Sequence, residues 1–74
     1  MAKLPRSLTG RKDVAALLRA GFYVRRQKGS HIILRRDSPF AQVVVPDHRN
    51  IDTGTLDIIL EGAELSTEEF LKLL

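Results

Sequence analysis

The strongest constraint on the fold is a pair of alternating stretches hinged at Lys28-Gly29-Ser30. Phe22-Tyr23-Val24-Arg25-Arg26-Gln27 lies on one side of that turn and His31-Ile32-Ile33-Leu34-Arg35-Arg36 on the other. Two such runs joined by a short glycine-containing turn read as an antiparallel hairpin. Successive side chains of a strand point to opposite faces. With Phe22, Val24, Ile32 and Leu34 directed to a core, Tyr23, Arg25, Gln27, His31, Ile33 and Arg35 are expected to share the open face. Asp37-Ser38-Pro39 makes a second turn, and Ala41-Gln42-Val43-Val44-Val45 is a third, β-prone run stopped by Pro46.

Helical signals flank these strands. After a basic lead-in over residues 1–8, Thr9 can cap a helix in which Val14, Leu17 and Leu18 recur at three- and four-residue spacing, and Gly21 ends it. Arg11, Lys12 and Arg19 fall on its exposed side, where a solvated charged face is the common arrangement. Beyond the polar loop Pro46-Asp47-His48-Arg49-Asn50, a second helix is expected near Thr53 to Gly62, with Leu56, Ile59, Leu60 and Ala63 on one side. Ser66-Thr67-Glu68-Glu69 has the form of a capping box opening a last short helix, and Phe70, Leu73 and Leu74 give that helix an apolar edge. The order helix, three strands, helix and helical tail predicts an α+β fold, one three-stranded antiparallel sheet with helices on one face. No repeat or linker divides the 74 residues, so residues 1–74 are expected to form one domain with a small core.

Composition narrows the chemistry. There is no cysteine, which removes disulfides and thiolate metal sites and fits a reducing cytoplasm. Met1-Ala2-Lys3-Leu4-Pro5-Arg6 lacks the apolar run of a signal peptide, and no stretch approaches the roughly 20 apolar residues of a membrane span. A soluble, cytoplasmic chain with no membrane role is expected. A phosphate-cradling Walker loop and a glycine-rich dinucleotide fingerprint are both missing, since Gly29 stands alone in its turn. Asp37, Asp47 and Asp52 are loop acids without a repeating ligand pattern, suited to turns and caps. Neither a cofactor nor a metal is expected.

Charge then singles out one side chain. The net charge of +3 conceals a split: ten Lys or Arg against Asp13 up to Arg36, a balance of +9, and two basic against eight acidic residues from Asp37 onward, a balance of −6. His31 lies in the positive part. Imidazole, with an unperturbed pKa of about 6.5, both takes and gives protons near neutrality. As a class, a histidine at a strand start is more often a surface or capping residue than a catalyst. Set among cations that attract a polyanion, however, it suits work on a phosphodiester. Ser30 and His31 are neighbours on a strand and point apart, which argues against a serine nucleophile activated by this histidine. His48 could supply a second proton-transfer group, although a loop position after Pro46 favours a structural or binding role.

Several short motifs occur in a specific order: Lys3-Leu4-Pro5-Arg6, Leu17-Leu18-Arg19-Ala20-Gly21-Phe22, Gln27-Lys28-Gly29-Ser30-His31, Val44-Val45-Pro46 with His48 beyond, Gly54-Thr55-Leu56, Ile59-Leu60, and Leu65-Ser66-Thr67-Glu68-Glu69-Phe70. Together they resemble the HicA toxin family over nearly the whole chain. The resemblance implies a fold like the double-stranded RNA-binding domain. It also implies the toxin of a type II toxin–antitoxin pair, an mRNA-cleaving endoribonuclease that halts translation, and a HicB antitoxin as inhibitory partner. The family's catalytic histidine carries over onto His31. Arg25, Lys28, Ser30 and Arg35 are the expected RNA contacts. One stretch departs from the family pattern: where members have a basic or polar pair followed by Ala-Gly-Leu, this chain has Glu61-Gly62-Ala63-Glu64-Leu65.

RNA can be cut without metal because the ribose 2′-hydroxyl is an internal nucleophile, so the protein need only move protons and support phosphate charge. Two other classes compete with this reading. A non-catalytic RNA-binding module of the same fold would grip RNA without cutting it, and an adaptor would match its basic face to an acidic protein with no RNA affinity.

Overall fold

The computed structural model describes residues 3–74, so the first two residues of the basic lead-in lie outside the described part. Six elements follow in order: α1 (Gly10–Arg19), β1 (Tyr23–Lys28), β2 (His31–Asp37), β3 (Phe40–Pro46), α2 (Thr53–Ala63) and α3 (Thr67–Leu73). The strands form one antiparallel sheet in the order β1-β2-β3. This α+β arrangement is that of the double-stranded RNA-binding domain.

Local chemistry accounts for the helix ends. Thr9 caps α1 by accepting a hydrogen bond from the Lys12 amide at 3.1 Å, and Asp52 caps α2 by accepting from the Thr55 amide at 2.7 Å. The latter bond holds the Asp52 carboxyl below the usual range. Ser66 and Glu69 form the reciprocal capping box of α3, with bonds of 3.0 and 2.9 Å. The bond from the Ser66 amide likewise lowers the Glu69 pKa.

The core lies between one face of the sheet and the helices. Ile32, Leu34, Ala41, Val43 and Val45 come from the sheet, Leu17 from α1, Leu56, Ile59 and Leu60 from α2, and Phe70 from α3. Phe22, just before β1, closes one end of it. Two details depart from the periodicity argument. Leu18, read as a buried position of α1, is 47% exposed, whereas Asp13 of the same helix is fully buried. Val24 lies on the core side of β1 yet is 46% exposed, because the helices gather mainly over the other strands, α2 chiefly over β3. No described helix is long and apolar enough to cross a membrane.

Candidate active site on the open face of the sheet

The uncovered face of the sheet is built by two tight connections and one irregularity. Gly29 and Ser30 form the two-residue link between β1 and β2, with Gly29 at φ +58°. A left-handed first residue gives the chain the reversal that matches the twist of a hairpin, and glycine takes it without a Cβ clash. The turn ends on His31, which stands opposite Lys28 on one side and Pro46 on the other.

The irregularity changes which side chains share His31's face. Tyr23 pairs with Arg35 and Val24 with Leu34, but the next pair is Arg26 with Ile33, so Arg25 is an extra residue bulged out of the ladder. From that point toward the turn the alternation is shifted by one residue. Gln27, expected on the open face, instead pairs with buried Ile32. Arg26 and Lys28 take its place beside Ile33 and His31. Directly opposed residues have Cβ atoms about 5 Å apart and diagonal ones about 7–8 Å, within reach of long side chains. Lys28 is therefore the direct neighbour of His31 and Arg26 the diagonal one. Sequence reasoning missed Arg26 because no glycine or proline marks the bulge.

The remaining expected site residues separate into two groups. Ser30 adjoins His31, and its carbonyl accepts the Asp47 amide at 2.7 Å. Arg25 stays on the open side, its Nη1 donating to Gln42 Oε1 at 3.4 Å. Arg35 lies four residues along β2 from His31, about 13 Å at strand spacing. Its Nε is 2.8 Å from Asp37 Oδ1, and its guanidinium lies 5.0 Å from the Phe40 ring centroid. Tyr23 also donates its hydroxyl to Asp37, at 3.1 Å. Arg35 is thus engaged within the protein at the far end of the face, while Lys28, Arg26 and His31 cluster at the turn.

The loop after β3 braces that turn. Asp47 accepts from Arg11 Nε and Nη2 at 3.3 Å and from Gln27 Nε2 at 3.4 Å, and the Gln27 amide also donates to the Gly29 carbonyl at 3.1 Å. His48 is held through its backbone, its carbonyl accepting the Gly10 amide at 2.8 Å. Its side chain is exposed. Among the described residues, no three of His, Asp or Glu come together in a group that could hold a metal ion.

This arrangement offers a surface-exposed imidazole next to an ammonium, with two guanidinium groups farther along β1. It is accessible to an extended polyanion and too open to enclose a small molecule. Among curated proteins none matches the chain. A family model described as "HicA toxin of bacterial toxin-antitoxin" matches residues 10–65, from the first residue of α1 through the end of α2. That match spans most of the chain and all three strands: the protein belongs to the HicA toxin family.

Proposed function

We propose that the chain, acting as one domain over residues 1–74, is an endoribonuclease that cleaves mRNA in the cytoplasm and is silenced by a HicB-type antitoxin. The observation that carries this reading is the pairing of exposed His31 with Lys28, beside Arg26, on an uncovered sheet face. In the reaction the ribose 2′-oxygen attacks the adjacent phosphorus, its proton leaves, and the bond to the 5′-oxygen breaks as that oxygen gains a proton. The products are a 2′,3′-cyclic phosphate and a free 5′-hydroxyl. Neutral His31 takes the first proton or, in its charged form, gives the second. Lys28 and Arg26 stabilise the charge that builds on the non-bridging oxygens, while Arg25 and Ser30 contribute binding along the strand and Arg35, engaged with Asp37 and Phe40, supports the far end of the face. No step requires a metal, because the nucleophile is part of the substrate.

The test is cleavage of a single-stranded RNA and of DNA of the same sequence by purified protein in EDTA. RNA is cut and DNA stays intact on this reading. Loss of cleavage on chelation, restored by a divalent ion, would overturn the metal-free mechanism, and binding without cleavage would make the protein a non-catalytic RNA-binding module.

A further inference from the structure

Charge and apolar surface lie in separate strips on the open face. β1 supplies cations there, Lys28 opposite His31 and Arg26 opposite Ile33. β3 carries no charged side chain, and the residues it presents on this face are Phe40, Gln42, Val44 and Pro46. Ile33 of β2 pairs with Val44, so an uncharged floor runs away from His31 beside the cations. At the far end stand two aromatic rings, Tyr23 on β1 and Phe40 on β3, which are 42% and 61% exposed. Both are held in place. Tyr23 donates its hydroxyl to Asp37 at 3.1 Å, and Asp37 pairs at 2.8 Å with Arg35, whose guanidinium lies 5.0 Å from the Phe40 ring centroid. One face of the Phe40 ring is thus covered by a cation whose own position is fixed, and the ring's exposure leaves its other face to solvent. Arg25, which reaches across the sheet to Gln42, sets a further guanidinium between the aromatic end and the histidine end.

We propose that Phe40, with Tyr23 across β2 as a second platform, is a base-stacking subsite for unpaired RNA at the opposite end of the face from His31. The proposal rests on the reading of this face as the RNA-cleaving surface and adds the class of RNA that the face takes. A single strand of RNA is two-sided in the same way as the face, with phosphates along one side and base planes along the other. Its phosphates follow Lys28, Arg26 and Arg25, and its bases lie over Ile33, Val44 and the aromatic rings. A free ring face stacks on any base, because every base has a π-face. Duplex RNA keeps its bases stacked on one another and presents only backbone and groove edges, so it has no base plane to set against Phe40. An acidic protein surface would satisfy the cations as well, but a pinned ring with one free face adds flat stacking area that carboxylates do not use. Phe40 is a binding residue and takes no part in proton transfer: it lies beside Arg35, itself about 13 Å along β2 from His31.

Fluorescence titrations with three probes test it: a 2′-O-methyl RNA strand, which lacks the nucleophile and stays intact, a strand of the same length without bases, and a duplex of the same sequence. Phe40→Ala and Phe40→Leu should each weaken binding of the base-bearing strand by about 5- to 150-fold, while Phe40→Tyr retains it. All three variants should bind the baseless strand and the duplex as the native chain does, with the salt slope unchanged because no phosphate contact is lost. Phe40 is exposed, so far-UV melts should stay close to the native one, and leucine keeps the apolar bulk that alanine removes. Native affinity in Phe40→Ala or Phe40→Leu, an equal loss on the baseless strand, or a tyrosine variant as weak as the alanine one would overturn the subsite. A native chain that binds none of the probes would overturn it together with the RNA reading. Cleavage of unmodified RNA by the native chain separates the two claims. No cutting, with affinity lost in Phe40→Ala, would overturn the ribonuclease and leave the subsite standing; cutting with affinity unchanged in Phe40→Ala would do the reverse.

Discussion

Asp13→Asn should stabilise the protein at neutral pH. Asp13 is fully buried, and neither carboxyl oxygen has a hydrogen-bond partner among the described residues. Burial raises its pKa from 3.8 to about 6. At about 1.4 kcal/mol per unit, that shift makes ionising Asp13 in the folded state costlier than in the unfolded state by about 3 kcal/mol. Its place in the first turn of α1 means that the helix dipole offsets about 0.3–1 kcal/mol of this. A net cost of about 2 kcal/mol remains. The folded carboxyl keeps its proton to higher pH than the unfolded one, so the contribution of this group to stability falls as pH rises from 3.8 to about 6, and the whole cost persists above that. Asp52 and Glu69 run the other way: their lowered values stabilise above the unfolded pKa values of 3.8 and 4.5, and the benefit disappears as pH falls. Asparagine keeps the shape of Asp13 and removes its charge. Thermal melts followed by far-UV circular dichroism at intervals from pH 4 to 8 should show Asp13→Asn melting roughly 8–16 °C higher at pH 7.5, with the difference closing toward pH 4. A variant less stable than the native protein at pH 7.5 would refute the reasoning, because it would mean that the ionised carboxylate is held by favourable interactions.

Two further perturbations address the site and its support. Arg26→Ala and Lys28→Ala should each weaken RNA binding and reduce the slope of log affinity against log salt by about 0.7, while Arg35→Ala should leave the slope nearly unchanged and lower the melting temperature, since Arg35 is engaged with Asp37 and Phe40. Fluorescence titrations at several salt concentrations measure this, and unchanged slopes for Arg26 and Lys28 would place the RNA elsewhere, with Lys12 on α1 the next candidate. Gly10→Ala should destabilise by about 1–3 kcal/mol in a urea titration, because the added methyl meets the backbone carbonyl of Pro46, the residue opposite His31 on β3. A neutral or stabilising result would show that the α1 start can move away from β3 without loss.

Much of this architecture was legible because its signals are local. The caps at Thr9 and Ser66, the hairpin turn at Gly29 and the stop at Pro46 each depend on a few adjacent residues, and all were assigned to the right elements. The bulge at Arg25 was not, because a bulge without a glycine leaves the sequence unmarked while reversing the face of every residue between it and the turn. That reversal exchanged Gln27 for Arg26 beside the histidine. Burial of Asp13 was equally hidden, since an acid early in a helix reads as a favourable dipole partner wherever it points. Glu64 shows a third kind of compensation. It holds the left-handed position at the end of α2, at φ 60°, a backbone conformation that favours glycine. Its carboxylate pairs at 3.0 Å with Arg36, which lies 4.9 Å from the Phe22 ring centroid. One acid of the divergent stretch is thus explained by a partner that becomes its neighbour only once the sheet is formed.

The central claim, that His31 moves a proton in RNA cleavage, is tested most directly by His31→Ala, with a cleavage time course and a thermal melt on the same preparation. His31 is exposed, so truncation leaves no cavity and should shift stability by no more than about 0.5 kcal/mol. Loss of a positioned acid or base should instead slow cleavage by about 10²–10⁴-fold. The expected result is a variant that melts and binds RNA like the native protein but scarcely cuts it; a folded His31→Ala protein cutting RNA at the native rate would contradict the claim.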